Sequence, residues 1–206
     1  KRQRLDRSRE TIDFIKNKLC NIFLISHFGR PKENFDKKYS FSKLIDQFED
    51  ILELKLNFIS YDSFLDSGLN EIDVDKPTIS LLENIRFFEG EIKNDLNFSK
   101  SITDKLDLYV NEAFSASHRL HSSVNQMVKN ILSAPGFNFE REISAIDNIK
   151  KSPKKKLAII GGSKVSTKIK TLLSLTSSCA DIFIGGAMAN NFLKYNSINV
   201  SNSLVE

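Results

Sequence analysis

Residues 156–170, KLAIIGGSKVSTKIK, decide how the chain reads. Leu157, Ala158, Ile159 and Ile160 are a continuous apolar run, which predicts a short buried strand. Gly161 and Gly162 follow and predict a turn where backbone can come close to a ligand. Ser163 or Ser166 is placed to cap a helix whose apolar positions are Val165, Ile169, Leu172 and Leu173. Lys164 and Lys168 stand four apart, so the spacing puts both on one helical face beside the free N–H groups of the first turns. A strand, a glycine turn and a helix start carrying lysines together make a site where N–H and ammonium groups converge on phosphate. It is not a P-loop, because G-x-x-x-x-G-K-[ST] is absent. A plain turn with two solvated lysines satisfies the same pattern.

Downstream, residues 181–184 read as a second strand, Gly185 and Gly186 as its turn, and 187–195 as a helix. Strand–helix–strand–helix is the start of a parallel α/β sheet. Upstream, residues 140–149 read as a helix with Ile143, Ile146 and Ile149 on one stripe, and the basic, proline-interrupted run 150–156 follows. That run predicts a domain boundary: 1–139, a helix and hinge over 140–156, and 157–206. Without interleaved aromatic residues the run reads as a solvated hinge and not as a nucleic-acid site.

In the first half, 1–18 is basic and helical in its later part. Strands are expected at 21–26, 54–60, 78–82 and 108–110, and helices at 41–52, 97–106 and 124–132, the last ended by Pro135 and Gly136. Residues 89–95 read as a polar turn. The strand ends carry His27, Gly29 and Arg30, then Asn84 and Arg86, then 111–123 with Arg119. Ligands of open α/β sheets bind outside the carboxyl ends of the strands. Arginine forks and a tight glycine turn there suit a small, multiply anionic metabolite. His118 and His121, three apart with no carboxylate or cysteine at ligand spacing, read as structural histidines and not as a metal site.

Composition agrees. At 40% hydrophobic and 27% charged, 206 residues can bury a core, and a net charge of +4 suits anionic partners. Cys20 and Cys179 form no CxxC motif and imply neither a disulfide nor a zinc framework. No run approaches the ~18 apolar residues of a membrane span. No signal-peptide pattern is visible, and a cytoplasmic location is expected.

Five segments in order, LISHFGRPK (24–32), SLLENIRFFEGEIKND (80–95), LYVNEAFSASHRLHSS (108–123), LAIIGGSKVSTKI (157–169) and ADIFIGGAMANNFLKYNSINVSNSLVE (180–206), closely resemble phosphoglycerate kinases. The resemblance implies two Rossmann-like parallel-sheet domains joined by a hinge helix, the second only partly present. It implies reversible phosphoryl transfer between 1,3-bisphosphoglycerate and ADP, giving 3-phosphoglycerate and ATP, by a monomer that closes its hinge for in-line transfer. His27, Phe28, Gly29 and Arg30 of SHFGRP would hold the glycerate, with Arg86 and Arg119 on its phosphate or carboxylate. Arg4, ahead of Thr11 and Ile12, would reach the transferring phosphoryl group, and Lys164 would neutralise it. Lys168 would hold the nucleotide phosphates of Mg-ADP or Mg-ATP, and Gly161, Gly162, Gly185 and Gly186 would line the cleft. Glu112, Ser115 and Ala187 depart from the usual Asp, Gly and Gly. The family's first strand would precede Lys1, and its adenine pocket and Mg-binding aspartate would follow Glu206. These 206 residues would thus be a piece of the enzyme with negligible turnover alone. The alternative is a non-catalytic phosphometabolite-binding module.

Overall fold

The computed structural model describes residues 2–32, 35–70 and 77–206. The chain divides into two compact units, 1–144 and 145–206.

The first unit opens with helix α1 (Arg2–Lys16) and continues through β1 (Ile22–Leu24), α2 (Ile45–Leu52), β2 (Asn57–Ile59), α3 (Tyr61–Ser67) and β3 (Ile79–Leu82). β1 and β2 both pair parallel with β3, in the order β1-β3-β2. The central strand ISLL is buried along nearly its whole length, as a parallel strand covered on both faces must be. One cluster, Ile12, Ile22 and Leu52 with Ile79 packed against it, joins α1 and α2 to the sheet. A larger one gathers Ile59, Phe64, Leu82, Ile85, Phe88, Ile102 and Met127. Its aromatic members meet edge-on or stacked, Phe64 to Phe88 at 5.0 Å and Phe88 to Phe98 at 5.7 Å.

Beyond β3 come α4 (Glu89–Ile92), α5 (Leu96–Thr103), β4 (Tyr109–Asn111), α6 (Met127–Asn130) and β5 (Ser133–Pro135). Three departures from expectation share one cause. Residues 89–95 are not a mere turn but a single helical turn followed by the N-cap of α5, where Asp95 accepts from Phe98 N at 2.7 Å. The helix expected over 124–132 shrinks to α6, and Ser133–Pro135 pairs parallel with β4. α3, capped by Ser60, has no counterpart in the sequence reading. Elements of three to seven residues are too short for a period to show, and only their tertiary partners define them.

Helix α7 (Phe137–Lys151) starts three residues before the expected Glu140 and runs across the unit boundary. Its C-terminal end is tied by Lys156, whose ammonium donates to Ser152 O at 2.8 Å.

The second unit holds β6 (Leu157–Gly161), α8 (Ile169–Thr176), β7 (Asp181–Gly185) and α9 (Ala187–Tyr195), with β6 and β7 parallel. Both helices pack on this sheet, and Met188 is fully buried there. The expected burial of β6 fails on its other side: Leu157 is 62% and Ile159 75% exposed, beside Phe183 at 61%. Alternation in a strand sends successive side chains to opposite faces, and among the described residues of this unit helices cover only one.

Candidate functional site

The loop after β1 is built around Asn84, two residues beyond the buried strand β3 and itself fully buried. Its carboxamide oxygen accepts from Phe28 N and Arg86 N, each at 3.2 Å. Its amide donates to Phe28 O at 2.8 Å and Tyr39 O at 3.0 Å. One side chain thus pins His27-Phe28-Gly29 to the start of the Arg86 turn. Glu83, 2% exposed, does the same for the next loop. Its carboxylate accepts from Ser40 Oγ at 2.5 Å and Phe41 N at 2.7 Å. The backbone links agree, with Ile85 N donating to Ser26 O at 3.1 Å.

Gly29 has φ +66°, and a Cβ there would run into the ring of Tyr39. Its carbonyl accepts from the guanidinium of Arg86. Arg86 is 9% exposed. Burial above all holds its pKa below the usual guanidinium value; Arg119 and Arg30 lower it further, while Glu91 works against them. A buried arginine repelled by two further arginines is the electrostatic mark of a site that wants an anion. Among the described residues neither Arg30 nor Arg119 meets a carboxylate. The structure therefore brings together Phe28, Gly29, Arg30, Arg86 and Arg119. His27 lies in the same loop, and the side chain of Arg4 lies outside what is described.

His121 joins this group. Its pKa is lowered, first by burial and then by Arg86, Arg119 and His118. The folded chain resists a proton that the unfolded chain accepts below the ordinary value of 6.5. The stability that neutral His121 contributes is complete above 6.5 and is lost as pH falls through the depressed value. His121→Gln is expected to flatten that limb of the pH–stability curve, read by urea unfolding from pH 5 to 8. Glu91, raised chiefly by burial, titrates with the opposite sign and is common to both proteins. Parallel curves for the two proteins would remove His121 as the titrating group.

In the second unit the glycine turns meet. Gly161 pairs with Gly185 in the sheet, and Met188 N donates to Gly162 O at 2.8 Å. Gly186 has φ +69°, and a Cβ on it would lie 3.1 Å from Gly162 O, so the close approach of the two turns needs glycine. The helix start differs from expectation. Residues Ser166–Lys168 form a 3-10 turn, α8 begins only at Ile169, and no serine caps it. Lys164 and Lys168 therefore do not share an α-helical face; Lys164 is exposed and the Lys168 stem passes over Gly162. The tighter i→i+3 ladder, with Lys168 N bonded to Val165 O at 2.8 Å, is the reason. The N–H and hydroxyl of Ser166 do bind an anion, the carboxylate of Glu206.

A family model described as phosphoglycerate kinase matches residues 1–206. The chain belongs to the phosphoglycerate kinase family. A phosphoglycerate kinase of Wolbachia sp. subsp. Drosophila simulans is 38% identical over 205 residues, 98% of this chain and 51% of that protein. One from Geobacter metallireducens is 39% identical over 199 residues, 95% of this chain and 50% of that protein. The solved phosphoglycerate kinase of Coxiella burnetii superposes with a TM-score of 0.81 at 30% identity, covering 97% of this chain and 50% of that one. That of Pyrococcus horikoshii, at 22% identity and a TM-score of 0.75, shares the fold. The chain spans about half the length of the curated relatives it matches.

In this chain sequence reasoning missed Glu83 and Glu91, and it placed Asn84 at a strand end without its hydrogen-bonding role. A Glu-Asn pair directly following the strand ISLL was the available signal, since polar groups buried there must be hydrogen-bonded. Glu112 is anchored to α1 and to the start of α7. It accepts from Thr11 Oγ1 and faces Asn138 N at 3.4 Å at the start of α7.

Proposed function

We propose that the whole protein is a phosphoglycerate kinase, moving a phosphoryl group reversibly between 1,3-bisphosphoglycerate and ADP to give 3-phosphoglycerate and ATP. The observation that carries this is Arg86, buried and bonded to the Gly29 carbonyl, with Arg30 and Arg119 close enough for their charges to oppose its own. A glycerate with a phosphate and a carboxylate relieves that repulsion. Arg86, already buried, gives short charge-assisted bonds at little further desolvation cost. His27, Phe28, Gly29 and Arg30 complete the glycerate pocket, and Arg4 is assigned to the transferring group.

Gly161, Gly162, Gly185 and Gly186 form the nucleotide phosphate wall, with Lys168 on the ADP or ATP phosphates. Lys164 serves the transferring phosphoryl group, which passes in line from one oxygen to the other. Catalysis of such a transfer is mainly positioning and neutralisation of charge. Mg2+ accompanies the nucleotide phosphates. Among the described residues no three His, Cys, Asp or Glu side chains form a metal cluster, and no step is assigned to a metal ligand of this chain. The domain limits 1–139, 140–156 and 157–206, a cytoplasmic location and a monomeric state belong to the same proposal. Among the described residues no helix is long and apolar enough to cross a membrane.

Calorimetric titration with 3-phosphoglycerate tests it. Arg86→Ala is expected to weaken binding by about 1.5–3 kcal/mol, the range for hydrogen bonds to charged groups. Unchanged affinity in a folded variant would take Arg86 out of the pocket.

A further inference from the structure

Glu91 has no part in the function proposed above, yet it is 2% exposed and carries a carboxylate. Oε2 accepts from Ser123 N at 2.8 Å, and Oε1 from Ser123 Oγ at 2.7 Å. Oε1 also lies 3.5 Å from His121 Nδ1. The Glu91 carbonyl accepts from Ser122 N at 2.9 Å. Ser122, fully buried, donates its hydroxyl to Asp95 O at 2.7 Å. Three consecutive residues, 121–123, are thus held against α4 and the turn that follows it.

Only Leu120, 73% exposed, separates this anchored segment from Arg119. On its other side Arg119 N is bonded to Ala116 O at 3.0 Å. Arg119 therefore stands on a short span fixed at both ends.

We propose that Glu91 is a positioning residue for the anion pocket: by clamping residues 121–123 it sets where Arg119 stands relative to Arg86. The name of the ligand rests on the phosphoglycerate reading; the clamp does not. A neutral acceptor would serve Ser123, but a buried charge is costly and needs a second reason. That reason is the arginine cluster. Glu91 favours the charged form of Arg86, while Arg30 and Arg119 oppose it. The carboxylate thus offsets the repulsion that Arg30 and Arg119 impose on Arg86.

The test compares the full chain with Glu91→Gln, Ser123→Ala and the double variant. Binding of 3-phosphoglycerate and of inorganic phosphate is read by calorimetry, and amide hydrogen exchange is read along 117–123. Glu91→Gln is expected to weaken 3-phosphoglycerate binding about tenfold, the worth of one hydrogen bond to a charged group. Exchange at 119–123 should quicken while β1 and β3 keep their protection. The double variant should bind no more than about twofold worse than Glu91→Gln, because both changes weaken the same Glu91–Ser123 pairing, from which Ser123→Ala removes the hydroxyl bond. A purely structural role would move the melting temperature and leave the affinity of the folded protein for 3-phosphoglycerate unchanged.

Affinity and 119–123 exchange that both stay within about twofold of the parent would overturn the proposal, as would independent effects of the two substitutions. If Glu91→Gln fails to fold, Ser123→Ala decides by the same two readings. If the parent binds neither anion, the ligand reading fails, and unchanged exchange at 119–123 in the variants would overturn the clamp by itself.

Discussion

Asn84→Ala is expected to destabilise the chain by about 3–5 kcal/mol, read by urea unfolding followed through its tyrosines. The substitution removes four hydrogen bonds at once. Phe28 N, Phe28 O, Tyr39 O and Arg86 N each lose their carboxamide partner. A buried donor or acceptor left unmade costs about 1–3 kcal/mol, and water reaching the rim of the loop recovers part of the sum. Asn84→Asp keeps both acceptor bonds but turns the donor side into an oxygen facing two carbonyls. It is expected to cost at least as much near neutral pH and to recover partly in acid, where a protonated carboxyl donates again. A loss below about 1 kcal/mol for Asn84→Ala would mean that the backbone holds the loop unaided.

Gly29→Ala is the second. The left-handed φ of +66° costs a residue with a Cβ about 1 kcal/mol, and the Cβ runs into the Tyr39 ring. Overpacking of that kind adds about 1–3 kcal/mol, so a total near 3 kcal/mol is expected. The ring cannot give way freely, because it sits edge-on to Phe28 at 5.8 Å and its own carbonyl is held by Asn84. A shift of Gly29 also moves the carbonyl that receives Arg86. Anion affinity should therefore fall together with stability, whereas Arg86→Ala should affect mainly affinity. Thermal melting and calorimetry on the two variants separate these outcomes. A Gly29→Ala protein with parental melting would show that Tyr39 repacks at no cost.

The second unit shows how local information succeeds and where it stops. Strand β7 and helix α9 lie where the pattern puts them, because Ile182 and Ile184 alternate and Gly186 breaks the strand. The same reading puts Lys164 and Lys168 on one helix face, but a 3-10 turn intervenes. A 3-10 and an α-helical turn differ by one hydrogen-bond step, and the residues 163–168 favour neither strongly. In the first unit the apolar run of β3 was plain, whereas β5, three residues ending in Pro135, was not. Proline and so short a span argue against a strand until β4 lies alongside.

The order of amino acids by itself determined the alternation of strands and helices, the glycine turns after β6 and β7, and the arginines and lysines at strand ends. Each depends on residues within a few positions of one another, through side-chain period, turn chemistry and capping. The family motifs are local in the same sense. Tertiary structure alone decided which polar residues hold the pocket in shape. Asn84 meets Phe28 across 56 positions, Glu83 meets Phe41 across 42, and Glu91 meets Ser123 across 32. No periodicity spans such distances. These contacts exist because burial removes water from Asn84, Glu83 and Glu91, and each must then find its hydrogen bonds in loops that the sheet has brought to one edge.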